Sequence, residues 1–244
     1  MGFISYLTLL AASALLAAAC EKTLYLTLDT GSMGPAEEIA AVLRKHKVKA
    51  TFFVANEKTT RGDMSMDASW APFWKSLAAD GHAFGSHTYR HWYFRRDLPG
   101  GKVAYVSKDG KRETLDRAGV CRELRQSEQV FQTIAGRGYD KIWRAPGGKT
   151  TPFVLKSARS CGFLEHVGWS PAGFLGDELS SEKYPNQILL RNAVRDLKDG
   201  DILLMHLGIW SRKDPFWPML DPLLTQLKAR GFCFATIPER GRRR

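Results

Sequence analysis

The 244-residue chain is short of cysteine, histidine and acidic side chains. Its 4 cysteines include no Cys-x-x-Cys pair, which excludes the spacing of a zinc ribbon or a thioredoxin-like redox motif. Low-complexity tracts are missing, and so is self-similarity at periods of about 20–50 residues, so a solenoid or a propeller is excluded. No glycine-rich phosphate fingerprint follows the first strand-like run, and nothing favours a dinucleotide. The acidic deficit leaves 25 Asp and Glu against 36 Lys and Arg, a formal charge of +11. Those basic residues are scattered, apart from the terminal run of Arg240, Arg242, Arg243 and Arg244. The charge therefore reads as a long-range field for anionic envelope polymers or lipid headgroups, or as ordinary solvated surface, and not as a nucleic-acid site. What is present in quantity is apolar: 44% of the chain, enough for one substantial α/β core.

Residues 2–19 carry no charge and end in small residues before Cys20. They read as a secretory signal peptide over 1–19, although the n-region lacks Lys and Arg. The run is slightly short for the ~20 residues of a membrane span. Leu16-Ala17-Ala18-Ala19-Cys20 is similar to a bacterial lipoprotein processing site, with Ala17 where a Leu is usual. The expectation is an exported bacterial protein, periplasmic or anchored as a lipoprotein by a lipid on Cys20. Cys121, Cys161 and Cys233 would then remain; an oxidising compartment allows one disulfide, the pair stays open, and buried free thiols are the default.

Beyond the signal, strand-like and helix-like segments alternate. Strands are expected at 23–28, 49–54, 82–86, 141–144, 162–169, 201–206 and 232–236. Helices are expected at 35–46, 70–79, 115–134, 152–160, 186–197 and 216–230. Residues 92–113 interrupt this rhythm with a hairpin signature around Asp109-Gly110, read as an insertion on the rim of a domain spanning 20–244. Alternation of this kind implies parallel βαβ units and a distorted (β/α) barrel of about seven parallel strands, with a doubly wound sheet as the alternative.

Asp29, His87, Arg144, Trp169 and His206 each fall at or just past the C-terminal end of a different expected strand, where a parallel barrel assembles its site. His87 and His91 lie four residues apart, read as one face of a helical turn, a spacing that lets two imidazoles share a divalent ion. His206 closes an apolar strand and is a candidate general acid. Asp29 closes another, where a carboxylate is costly unless it is paired or functional. Arg144 is its natural bidentate partner. Asp29-Thr30-Gly31-Ser32 also spells an aspartic-protease motif, but no second copy exists and the α/β alternation is wrong for that class.

Thr27-Leu28-Asp29-Thr30-Gly31, His87-Thr88-Tyr89-Arg90-His91, Arg144-Ala145-Pro146-Gly147-Gly148 and Leu204-Met205-His206 together resemble the polysaccharide deacetylase family, which includes chitooligosaccharide, chitin and peptidoglycan deacetylases. Ala50-Thr51-Phe52-Phe53 is also similar to the family's second strand. The resemblance implies a hydrolase that removes N-acetyl, less readily O-acetyl, groups from an envelope or extracellular polysaccharide with a divalent metal, usually zinc. Carried over, Asp29 is the base, His87 and His91 are metal ligands, His206 is the acid and Arg144 orients Asp29. Gly147 and Trp169 would line the substrate pocket, and Asp177 would orient His206.

Three departures accompany it. Thr30 stands where the family places a second Asp, a metal ligand, and a hydroxyl is a poorer ligand for a hard ion. Asp63 or Asp67 could complete the shell, Asp29 itself could bind the ion, or two histidines and waters could hold it loosely. Gly147 replaces an aromatic residue, losing a pocket wall. The fourth motif does not align cleanly. These departures keep a second reading open, a non-catalytic glycan-binding envelope protein on a degenerate deacetylase fold.

Overall fold

In the computed structural model, residues 20–240 are described; the expected signal peptide and the last four arginine-rich positions lie outside them. Seven parallel strands form the central sheet: β1 (Lys22–Asp29), β2 (Thr51–Val54), β3 (Ala83–Ser86), β7 (Ile142–Trp143), β8 (Glu165–His166), β9 (Ile202–His206) and β10 (Phe232–Phe234). The order runs β10-β1-β2-β3-β7-β8, with β9 also paired to β1. The first residues of β1 pair with β10, and its remainder pairs with β9 and β2. Past β8 the chain returns to β9 through a parallel bridge between Phe174 and Leu204, curling the sheet into the expected distorted barrel.

Helices α1 (Ala36–His46), α2 (Ala71–Ala79), α3 (Arg117–Ala135), α4 (Pro152–Ser160), α5 (Asn186–Asp196) and α6 (Leu220–Ala229) cover the strands. Their starts follow local chemistry. Asp116 accepts the Gly119 N–H at 2.7 Å to open α3, and Thr151 accepts the Val154 N–H at 3.2 Å to open α4 before Pro152. The largest fully buried rings gather where α2 and α3 meet the sheet. Phe84 lies 4.8 Å from Phe131, and Trp74 lies 5.6 Å from Phe131 and 6.3 Å from Phe52. Edge-on and tilted contacts of this kind add to the burial of the rings. Among the described residues no helix is long and apolar enough to cross a membrane.

The expected strand over 162–169 shortens to Glu165–His166. The cause is local: the carbonyls of Val167 and Gly168 accept Arg144 donors at 2.9 Å each. The interruption at 92–113 is a separate antiparallel sheet of β4 (Tyr93–Leu98), β5 (Lys102–Val106) and β6 (Arg112–Asp116). Its second hairpin turns at Asp109-Gly110, where Gly110 takes a φ of 88° that glycine tolerates.

The cysteines differ from expectation. Cys20 is bonded to Cys233 and Cys121 to Cys161, so none of the four is free. A disulfide at Cys20 uses the sulfur that a thioether lipid anchor needs, and this corrects the expectation of a lipidated Cys20. The pairs staple the start of β1 to β10, and α3 to the end of α4.

Candidate active site

The parallel register sets Asp29 beside His206, on neighbouring strand ends. His87 follows β3, Arg144 follows β7, and Trp169 lies three residues past β8. All five residues expected at strand ends therefore come to one rim. At its centre is a buried ion pair. Arg144 is 0% exposed and Asp29 3%. Arg144 Nη1 donates to Asp29 Oδ1 at 2.7 Å, while the Val167 and Gly168 carbonyls take two more of its donors. The guanidinium lies over Phe53 at 4.2 Å and faces Trp169 at 5.5 Å. Burial alone would raise the Asp29 pKa, but the Arg144 guanidinium, with His206 beside it, outweighs burial and holds the carboxyl below the usual carboxylate value. Asp29 is ionised at neutral pH.

His206 is held by Asp177, which takes the His206 backbone N–H at 2.7 Å and the ring Nδ1–H at 3.1 Å. Burial would lower the His206 pKa, but the attraction of Asp177 and its hydrogen bond, with Asp29 and Glu178 behind them, push it up to about 9. The ring is an imidazolium at neutral pH with Nε2–H free of Asp177, the state a general acid requires. A cavity of about 310 Å³, lined among others by Ser32, Thr60, Asp177, His206 and Trp217, opens on this ring. Gly31 keeps the two strand ends close, because a Cβ there would sit 2.2 Å from the Gly208 carbonyl oxygen.

The two motif histidines meet differently from the expected helical turn. Thr88 and His91 adopt φ of 62° and 55°, so the backbone bends rather than winds. Arg90 fixes the bend, pairing with Glu123 of α3 at 2.5 Å and gripping both oxygens of Glu113 of β6 at 2.8 and 2.9 Å. Such a fork of charge-assisted bonds holds geometry better than a single contact. His87 Nε2 and His91 Nε2 lie 3.2 Å apart, and Asp29 Oδ2 is 3.4 Å from His87 Nε2. Burial lowers the His87 pKa to about 4 despite the attraction of Asp29, so His87 is neutral and able to ligate. His82 and His166 are structural by contrast, each accepting a backbone N–H, from Ala50 and Ala145.

Thr30 is turned to other work: its hydroxyl accepts the Ala55 N–H at 3.1 Å. Asp63 does not replace it. That carboxylate is used within its own loop by Thr59, by Ser69 at 2.5 Å and by Trp70 Nε1 at 3.0 Å, and Asp67 accepts the Met64 N–H at 2.8 Å. Both carboxylates are thus engaged within their own loop. The carboxylate that does lie near the histidines is Glu57, whose Oε1 is 3.4 Å from His91 Nδ1. Gly147 takes a φ of 65°, and a Cβ there would meet the Tyr93 ring at 3.3 Å. Tyr93, from the inserted sheet, thus packs directly over Gly147. Half-buried Trp169 stands against Gly148. Neither Glu57 nor Tyr93 was found from sequence.

Asp29 paired with Arg144, His206 held by Asp177, and the facing rings of His87 and His91 meet at one rim of an α/β barrel, the face where enzymes of that architecture assemble their sites. Residues 17–166 match the family model for polysaccharide deacetylase, and the chain belongs to that family. It is 26% identical over 220 residues to the peptidoglycan-N-acetylmuramic acid deacetylase PdaA of Bacillus subtilis, covering 90% of this chain and 71% of that protein. A family 4 acetyl xylan esterase from Clostridium thermocellum, solved with a cobalt ion, superposes with TM-score 0.68 at 21% identity over 90% of each chain. A wild-type CE4 family pseudoenzyme from Bacillus anthracis superposes with TM-score 0.67 at 20% identity, covering 89% of this chain and 64% of that one.

Proposed function

We propose that the protein is an active, metal-dependent deacetylase of an acetylated envelope glycan, with N-acetyl groups of peptidoglycan or chitooligosaccharide as substrate. The observation that carries this reading is the placement of Asp29, paired with Arg144, beside His206, paired with Asp177, on adjacent strand ends. One is poised to take a proton and the other to give one, which is what amide hydrolysis requires. Asp29 Oδ2 accepts a proton as water adds to the acetyl carbon. His206 Nε2 donates its proton to the sugar nitrogen as the carbon–nitrogen bond breaks, leaving acetate and an amine. Arg144 holds Asp29 through Oδ1 and leaves Oδ2 on the side of His87. Asp177 keeps the His206 ring turned so that Nε2 faces outward. Gly147, Tyr93 and Trp169 supply the walls of the sugar site.

The two imidazoles fit part of the shell of a divalent ion such as zinc. Two nitrogens bound at about 2.0–2.1 Å to one tetrahedral zinc stand about 3.3 Å apart, close to the spacing of the two Nε2 atoms. Bound metal would polarise the acetyl carbonyl and lower the pKa of water. The net charge of +11 suits an enzyme drawn to anionic wall polymers, and the similarity to a peptidoglycan deacetylase supports an exported location.

The absence of a carboxylate at Thr30, together with a pseudoenzyme among the structural neighbours, favours a second reading, glycan binding without catalysis. Acetate release from acetylated chitooligosaccharide and peptidoglycan, with and without zinc or cobalt, separates the two. Release that depends on added metal is expected; no release from any acetylated glycan under either metal would leave only the binding reading.

A further inference from the structure

His91 uses its two ring nitrogens in opposite directions. Nε2 faces His87 Nε2 at 3.2 Å, while Nδ1 faces Glu57 Oε1 at 3.4 Å. His87 already has its ring locked, because its Nδ1–H donates to the Arg144 carbonyl at 2.9 Å and leaves the Nε2 lone pair outward. On His91 the corresponding place is taken by Glu57. This residue follows β2, and its backbone is fixed on both sides: Glu57 N–H donates to Ser65 Oγ at 2.9 Å and the Glu57 carbonyl accepts the Ser65 N–H at 2.8 Å. Its second oxygen, Oε2, is buried and has no hydrogen-bond partner. A buried carboxylate oxygen left in this state is uncommon and costs stability, which asks for a function.

We propose that Glu57 is a positioning carboxylate of the metal site: it accepts the His91 Nδ1–H and so holds the His91 Nε2 lone pair toward the ion. The proposal rests on the metal-dependent reading above. It places Glu57 outside the ion's own shell, because the carboxylate lies at Nδ1 and not at Nε2. The present 3.4 Å is longer than an ordinary hydrogen bond, so the proposal requires the two side chains to draw together by a few tenths of an ångström when His91 holds the ion. Metal-ligating histidines commonly donate their other ring N–H to a carboxylate, and losing that partner weakens metal binding about 10–100-fold.

The test is titration of the full, metal-stripped chain with zinc by calorimetry and with cobalt by visible absorption, in wild type, Glu57→Gln and Glu57→Asp. Glu57→Gln should bind both ions about 10–100-fold more weakly. Its cobalt spectrum at saturation should match wild type, and its metal-free melting temperature should be unchanged. Glu57→Asp, which keeps the charge, should recover part of the affinity, and this comparison decides the matter if Glu57→Gln folds poorly. Equal affinity in wild type and Glu57→Gln, or equal weakness in both variants, would overturn the proposal. A changed cobalt spectrum would overturn it in another way, by making Glu57 an inner ligand. Failure of the wild type to bind either ion would instead bring down the metal-dependent reading itself, and this proposal with it.

Discussion

The two halves of the rim are built to different standards. On the proton-handling side Asp29, Arg144, Asp177 and His206 form a connected set in which each charged group has an opposite partner within 3.1 Å. On the metal side two imidazoles face each other at 3.2 Å, Thr30 is engaged by backbone, and Glu57 keeps an unpartnered oxygen. The first half is woven into the core, so its geometry is a by-product of folding. The second hangs on a bend with two positive φ values, secured by Arg90. The lesson is that the proposed base and acid are each held by a buried opposite charge, whereas the proposed ion site has no such partner within its motif.

The largest expected contrast comes from breaking one half at a time. Asp29→Asn should cut the rate by about 10²–10⁴-fold, the range of a lost acid–base group. It should also cost stability, because Arg144 is left buried without its carboxylate; breaking a buried pair costs about 3–5 kcal/mol. His91→Ala should remove metal binding but leave the denaturant midpoint near wild type, because His91 is partly exposed and outside the core network. A denaturant titration of both variants beside their acetate-release rates checks this contrast.

A smaller effect follows from pH. The His206 pKa is raised to about 9, so its proton is retained at neutrality and lost as pH rises through that value. The alkaline limb of the rate profile should therefore fall near pH 9, about tenfold per further unit. The same sign governs stability. The contribution of the His206–Asp177 pair is fully present below the ordinary histidine value and is lost as pH rises through about 9. Asp177→Asn should bring the limb down toward neutrality, and a rate profile of both proteins measures it.

Much of this was legible in the sequence because strand ends are. Asp29, His87, Arg144, Trp169 and His206 follow apolar runs, and parallel topology brings such ends together. Asp177 was also named, and it meets His206 as expected. Glu57 lies three residues past β2, so the same rule applied to that strand finds it. Tyr93 had no such signal: its approach to Gly147 depends on how the inserted sheet docks, a long-range packing outcome. The bend at Thr88-Tyr89-Arg90-His91 was hidden for a related reason, since a local pattern suited to a helical turn yields to the Arg90 bonds with Glu113 and Glu123. The disulfides were out of reach because reading Cys20 as a lipidation site leaves three cysteines, and no spacing rule chooses a pair among them.

The measurement that tests the account most directly is acetate release as a function of free zinc, in chelator-treated wild type and in Thr30→Asp. With a complete proton-handling half and a lightly built metal half, the stripped wild type should be folded and inactive. Added zinc should restore it, saturating only above the protein concentration. Thr30→Asp, which returns a carboxylate to the first motif, should saturate at about tenfold less zinc, on the general preference of hard ions for carboxylate over hydroxyl oxygen. Full activity in chelator, or a stoichiometric zinc in wild type that survives it, would contradict the account.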